Sequence, residues 1–300
     1  MLAPEQGESL MVDGTLGEGG HTEAFLTAFP NLRVIGIDAD VRIQARARER
    51  LAPFGDRVIF YPGWSDVFFS EYPKDQKRPD RILIDLGISL FHYEKSGRGF
   101  SFRSDEPLDM RLDPSTGESA ADIVNRMRES ELADLIYQYG EEQYSRRIAR
   151  AICAARQIAP FTTAKALAEC VFTSVPVAYR HGRIHPATKT FQALRIAVNE
   201  ELDRLPRLLG LALDTLAPGG RLGVITFHSL EDRIVKNYFR DRSKACTCPP
   251  EVPICKCGGK PFLELLTRKA LAPSDAEIAR NSPSRSAKLR VVRKIPYGDS

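Results

Sequence analysis

The segment Val12-Asp13-Gly14-Thr15-Leu16-Gly17-Glu18-Gly19-Gly20-His21 places glycines and acids where a ligand can be held. Gly17, Gly19 and Gly20 follow a short apolar run and precede a helical pattern. Without a Cβ the backbone can turn sharply there and approach a ligand closely. Asp38 comes about 20 residues later, at the end of the next apolar run, where a carboxylate accepts hydrogen bonds from ribose hydroxyls. The pair of signals points to a nucleoside ligand. A dinucleotide would bring a pyrophosphate to the helix N-terminus. Asp13, just before the glycines, would repel a pyrophosphate and suit a cationic amino-acid moiety. That electrostatic argument favours S-adenosylmethionine, which carries an ammonium and a sulfonium, over NAD. Asp13 also reads as a turn residue that caps the loop.

Asp85 closes another apolar run in Ile84-Asp85-Leu86-Gly87-Ile88-Ser89. Amino-group methyltransferases place polar acceptors at this position, and a strand-terminal aspartate also serves as a helix cap. Near the other end of the chain, Cys246-Thr-Cys248 and Cys255-Lys-Cys257 form two C-x-C pairs. Four close cysteines fit either a structural zinc or a thiol-rich loop, and no metal is assigned to them. Cys153 and Cys170 fall in helical patterns and read as core residues.

The elements that must position these groups alternate. Strand signals at Leu10–Val12, Arg33–Ile37, Arg57–Tyr61 and Arg81–Ile84 are separated by helical patterns over Thr22–Ala28 and Val41–Leu51. Alternation of this kind predicts a parallel sheet in a doubly wound α/β fold, with ligands at the carboxyl ends of the strands. Asp13, Asp38 and Asp85 all lie at such ends. From 105 to 183 there is no strand signal. Helical patterns cover Ser119–Met127, Glu131–Tyr139, Glu141–Arg156 and Thr163–Thr173, and a further helix is expected over Lys189–Leu216. Strand signals return at Arg221–Phe227, Phe262–Thr267 and Lys288–Ile295. The expected organisation is a discontinuous α/β domain over 1–104 and 186–300, interrupted by a helical insertion over 105–185.

Composition fits a globular protein. Of the 300 residues, 43% are hydrophobic and 27% charged, which argues against a disordered chain. No apolar stretch approaches the roughly 18 residues of a membrane span, and the first residues lack a signal-peptide pattern. The chain reads as cytoplasmic. A net charge of +4 leans toward an anionic partner.

Several further motifs belong together. They are Arg98-Gly-Phe-Ser-Phe102, Pro107-Leu-Asp-Met-Arg111, Gly140-Glu-Glu142, His185-Pro-Ala-Thr-Lys-Thr-Phe-Gln-Ala-Leu-Arg195, Asn199-Glu-Glu-Leu202, Ala217-Pro-Gly-Gly-Arg221 and Phe227-His-Ser-Leu-Glu-Asp-Arg233. With the glycine turn and the Asp85 motif, in this order, they resemble the bacterial ribosomal RNA small-subunit methyltransferase H family, also called MraW. The resemblance implies a Rossmann-like class I S-adenosylmethionine-dependent methyltransferase domain with an inserted helical domain. It implies methyl transfer to the exocyclic N4 of a cytidine in the decoding region of 16S ribosomal RNA. Matched position by position, cofactor contacts fall on Gly19, Gly20, His21, Asp38 and Asp85. Trp64 stands where the family usually has Phe, and His92 where it usually has Gln.

A cytosine amine is a poor nucleophile because its lone pair is delocalised into the ring. A hydrogen-bond acceptor beside it would localise that pair and take up the proton. Asp85 is the first candidate, followed by Asp109 and His228. A base in folded RNA must be splayed out and stacked, for which Trp64, Phe91, Phe100 and Phe102 are available. Phosphates need cations. Candidate clusters are Arg146, Arg147 and Arg150; Arg180, His181, Arg183 and Lys189; and Arg285, Lys288, Arg290, Arg293 and Lys294. Two rival readings are a DNA amino-methyltransferase and a non-catalytic RNA-binding assembly factor that retains the cofactor fold. Leu86-Gly87-Ile88 after Asp85 departs from the Pro-Pro-aromatic sequence usual in the DNA enzymes.

Overall fold

Apolar runs ending in aspartate form the middle of a sheet. In the computed structural model, which describes residues 1–4, 9–245, 248 and 259–296, β1 (Ser9–Asp13), β2 (Leu32–Asp38), β3 (Val58–Pro62), β4 (Arg81–Asp85) and β5 (Arg221–Thr226) lie parallel. β6 (Leu263–Leu265) and β7 (Lys288–Lys294) complete the sheet, with β7 antiparallel to both β5 and β6. The strand order is β3-β2-β1-β4-β5-β7-β6. The direction of strand addition reverses between β1 and β4, which makes the carboxyl ends of these two strands the expected binding crevice of a doubly wound sheet.

Helices α1 (Gly20–Ala28), α2 (Val41–Leu51) and α3 (Ser65–Ser70) follow the first three strands. The strands are apolar on both faces because both are covered. Val12, Ile35, Ile82 and Ile84 belong to one buried cluster, and Met11, Val34 and Leu83 to another. Side-chain alternation along each strand separates the two sets.

The chain divides into two units, Met1–Gly87 with Leu202–Ser300, and Ile88–Glu201. The second contains no strand among its described residues. It is built from α4 (Leu90–Glu94), α5 (Ala120–Arg126), α6 (Glu129–Gly140), α7 (Ser145–Ala155), α8 (Ala164–Ser174), α9 (Val177–Arg180) and α10 (Ala187–Val198). It is wider at both ends than the expected 105–185. The physical reason is a shared core: Phe100 before that range, and Phe191 and Leu194 after it, are buried in one cluster with Leu132, Ile148 and Leu167.

Three of the sequence motifs meet inside this helical unit. Arg98 donates from Nη1 to the carbonyls of Arg111 and Leu112 at 2.8 and 2.9 Å. Asn199 donates to the Met110 carbonyl at 2.8 Å and accepts from the Leu112 amide at 2.8 Å. Asn199 also takes part in breaking the expected Lys189–Leu216 helix. Its Nδ2 bonds the Arg195 carbonyl at 2.9 Å, and Glu200 adopts a left-handed φ of 51°. Two helices result, α10 and α11 (Glu201–Thr215). The expected Glu141–Arg156 helix likewise begins later, at Ser145, because Glu141 is left-handed and Glu142 is buried, with its carboxylate accepting from the Tyr179 hydroxyl at 2.7 Å.

Two helices of the sheet unit remain, α12 (Ser229–Arg242) and α13 (Asp275–Arg280). Part of the expected basic tail cluster serves the fold here. Lys294 is buried and donates to the carbonyls of Leu213, Asp214 and Leu216 at 2.7, 3.3 and 2.8 Å, closing the end of α11. Burial pushes its ammonium below the usual lysine range. Arg290 grips Asp232 with two bonds of 2.8 and 3.1 Å. Neither side chain is free for an anionic partner.

Candidate functional site

The glycine turn lies across the ends of three strands. The amide of Gly14 donates to the Leu83 carbonyl on β4 at 2.8 Å, and that of Leu16 to the Ile37 carbonyl on β2 at 2.8 Å. Gly17 donates its amide to Asp38 Oδ2 at 2.8 Å. Gly19 then takes a left-handed φ of 80° as the residue before α1, a conformation that costs other residues free energy. Gly20 and His21 open the helix.

Asp13 sits beneath this turn and is only 1% exposed. Its Oδ2 accepts from the Thr22 hydroxyl at 2.7 Å and its Oδ1 from the Thr15 amide at 3.4 Å. Burial pushes its carboxyl above the usual range, opposed by these bonds and by His21. Its contacts make it the loop anchor, the second of its two sequence readings, rather than a direct contact for a cationic ligand group.

Asp85, at the end of β4, is the more accessible of the two acids. Its Oδ2 lies 3.3 Å from His21 Nε2, and its amide donates to Thr15 Oγ1 at 2.6 Å. Its Oδ1 is buried and has no hydrogen-bond partner among the described residues. An unsatisfied buried carboxylate oxygen is costly, so this atom is the place where a ligand donor fits. The hydrogen bond to Asp85 raises the His21 imidazole above its ordinary value, against the opposing effect of burial and with help from the charges of Asp85, Asp13 and Glu277.

β2 and β3 bring Asp38 and Trp64 together. Asp38 pairs in register with Pro62, and the Gly63 amide donates to the Asp38 carbonyl at 2.9 Å. Trp64 follows as the residue capping α3. The Arg204 guanidinium lies 4.2 Å from the centroid of its ring, held by an ion pair to buried Asp66. Asp38 is half-buried, and its Oδ1 accepts from the Asp40 amide at 2.9 Å. Its carboxylate thus fixes the loop. Ser65 on α3 donates its hydroxyl to the Gly14 carbonyl. Thr15, Ser65 and Arg204 were not singled out in the sequence. Thr15 lies inside the glycine turn, but Arg204 is brought to Trp64 only by the fold.

The other expected residues have different surroundings. His228 caps α12: its Nδ1 accepts from the Glu231 amide at 3.4 Å, and Nε2 lies 3.1 Å from Glu231 Oε1. The Phe227 amide donates to Glu231 Oε2 at 2.8 Å. Asp109, in the helical unit, is gripped by Arg111 through Nε at 2.7 Å and Nη2 at 2.9 Å. Burial works to raise its carboxyl, and Arg111 outweighs that effect and holds it below the usual range. His92 is a buried side chain of the helical unit, its ring edge-on to Phe91 and Phe100 at 5.7 and 5.3 Å between centroids. Phe91 and Phe100 are buried too, which makes them core residues rather than stacking surfaces. Cys246, Cys255 and Cys257 lie outside the described residues, and with them the choice between zinc and a thiol-rich loop. No helix among the described residues is long and apolar enough to cross a membrane.

A switch-point crevice with a glycine turn, an acid at the end of each flanking strand and an unsatisfied carboxylate suits a nucleoside bearing a cationic group. The fold is that of a class I S-adenosylmethionine-dependent methyltransferase. Sequence comparison carries the assignment further: the chain matches the MraW methylase family over residues 1–295 and belongs to it. A protein of Treponema denticola named ribosomal RNA small subunit methyltransferase H is 66% identical over 299 residues, covering 100% of this chain and 95% of that one. Proteins of the same name from Treponema pallidum and Syntrophotalea carbinolica are 51% and 49% identical, covering 95% and 98% of this chain and 84% and 94% of theirs. The cofactor of such a methylase is S-adenosylmethionine, and the residues at the strand ends fit it.

Proposed function

We propose that this protein methylates ribosomal RNA of the small subunit, at the exocyclic N4 of a cytidine in the decoding region of 16S ribosomal RNA. The observation that carries the chemistry is the buried, unpartnered Oδ1 of Asp85 at the switch point. The names of the relatives support the RNA, and their length, nearly all of which this chain spans, supports a shared activity. The sequence motifs support the cytidine N4 position, and the small subunit or its RNA is the partner, in the cytoplasm.

S-adenosylmethionine, when bound, supplies an electrophilic methyl group. The chain's residues do the rest. Gly19, Gly20 and His21 at the glycine turn, with Asp38 for the ribose and Trp64 for the adenine, are the residues that would hold the cofactor, a reading supported by the pairing of Asp38 with Pro62 two residues before Trp64. Asp85 Oδ1 accepts an N–H of the cytosine amine, which localises the nitrogen lone pair and orients it. As the nitrogen–carbon bond forms one proton must leave, and the same oxygen can hold it. Asp85 is therefore the first choice among the acceptors. His228 is weaker because its Nδ1 is already engaged by the Glu231 amide, and Asp109 because Arg111 keeps it ionised and occupied. A DNA substrate is disfavoured by Leu86-Gly87-Ile88 after Asp85. A non-catalytic assembly role is disfavoured by an intact set of strand-end acids.

The test is mass spectrometry of 16S ribosomal RNA from a strain lacking the gene, complemented with the wild type or Asp85→Asn. N4-methylcytidine should vanish on deletion, return with the wild type and stay absent with Asp85→Asn. An unchanged signal on deletion overturns the substrate reading.

A further inference from the structure

The loop joining α9 to α10 departs from the rest of the helical unit. Arg180-His181-Gly182-Arg183-Ile184-His185 places cations around an apolar side chain, and residues 181–185 are all exposed. Ile184 is 52% exposed, and Val177 at the start of α9 is 63% exposed. The side chains of Arg183 and His181 have no hydrogen bond or ion pair among the described residues, and the His181 amide donates to the Tyr179 carbonyl. The base of the loop is rigid by contrast. Arg180 donates to the carbonyls of Val175 and Thr173 at 3.1 and 2.6 Å. The His185 ring stacks on Phe172, with centroids 5.5 Å apart and planes at 18°, and lies 4.7 Å from Phe102. Phe102 in turn meets Phe191 edge-on at 5.0 Å, and the Arg180 guanidinium lies 5.4 Å from the Phe172 centroid. His185 Nδ1 accepts the Ala187 amide at 3.2 Å, which leaves its ring proton on Nε2.

We propose that this loop is the RNA-reading finger of the helical unit. Ile184 packs against an unstacked nucleobase of a single-stranded RNA segment, Arg183 neutralises a phosphate beside it, and His181 offers a ring N–H as a hydrogen-bond donor. His185 is a positioning residue, clamped by the aromatic rings so that the loop is held in shape before it meets RNA. Three independent features fit this partner. An exposed branched aliphatic side chain suits insertion between bases. The uncommitted Arg183 guanidinium next to it matches the phosphate backbone. A loop pre-ordered by stacking loses little entropy on binding. A protein partner would share the apolar contact but not the salt dependence that phosphate neutralisation imposes. The inference rests on the reading that RNA is the substrate.

The test uses the full chain, small ribosomal subunits from a strain lacking the gene, and a transcript of the decoding-region RNA as probe. Arg183→Glu and Ile184→Ser are expected to raise the Kd for the transcript about tenfold or more and to raise the KM for the subunit, with S-adenosylmethionine affinity unchanged by calorimetry. Arg183→Gln should reduce the slope of log K against log salt by about 0.7, as expected for one phosphate contact on a single strand, and Arg183→Lys should restore it. His185→Ala should raise KM with kcat at saturation unchanged. Thermal melting of each variant separates misfolding from loss of contact; if Arg183→Glu unfolds, Arg183→Gln carries the test. Unchanged Kd, salt slope and KM, with wild-type protein binding and methylating normally, overturn the finger and leave the substrate reading intact. A wild-type protein that neither binds nor methylates the RNA overturns both.

Discussion

Asp85 has two carboxylate oxygens with opposite circumstances, one paired with His21 and one buried without a partner. Asp85→Asn preserves shape and the Thr15 bond, yet should lower the rate of methyl transfer by about 10²-fold or more, measured as single-turnover transfer of labelled methyl to RNA. The same pair sets a pH dependence. His21 is raised in the folded state, so its contribution to stability is fully present below the unfolded value of about 6.5 and is lost as pH rises through the folded value. NMR titration of the ring should give a high value in the wild type and a lower one in Asp85→Asn; equal values would break the link. The strand-end acids were legible because apolar runs ending in aspartate say where a doubly wound sheet binds. The work of each acid was not. Asp13 turned from ligand contact to anchor because one residue type serves both ends. His228, a candidate base in the sequence, also caps α12 through Nδ1, since a ring nitrogen accepts an amide proton as readily as a substrate proton.

Helices were legible in kind and misjudged at their joints. One pattern over Lys189–Leu216 hid the break at Asn199 and Glu200, because apolar spacing continues across a junction set by long-range bonds to Met110 and Leu112. The start of α12 is written in the His228–Glu231 capping pair within Phe227-His-Ser-Leu-Glu-Asp-Arg233, but histidine is not among the residues whose capping is read from sequence. Packing between α6 and α10 makes a sharper statement. A Cβ on Gly140 would stand 2.6 Å from the Lys189 carbonyl oxygen. Gly140→Ala should therefore destabilise by about 1–3 kcal/mol, read from denaturant melts, although alanine is ordinarily the better helix former. At the end of α11, Lys294→Met keeps the aliphatic stem and removes the ammonium from three carbonyls. A loss of about 1–3 kcal/mol is expected, and an unchanged midpoint would show that water replaces the amine.

As a whole, the chain divides into one continuous stretch, Ile88–Glu201, and a sheet unit assembled out of two separate stretches. The insertion was legible as a change of period, and its edges were not, because Phe100 and Phe191 look like any other apolar residues until a common core claims them. Residues 88–201 carry that core within themselves. Expressed alone, they should give a helical circular dichroism spectrum and a cooperative melt, and a broad, non-cooperative transition would show that the core is incomplete. The sheet imposes a different order of events. β7 is the last described strand in the chain and pairs with β5 along its whole length, while its final residue closes α11. During synthesis β5 therefore waits with an open edge while more than sixty residues are added, the condition in which strands recruit wrong partners. A premature stop before residue 288 would leave the glycine turn and every strand-end acid encoded, yet should yield a chain prone to aggregation rather than a weakened enzyme.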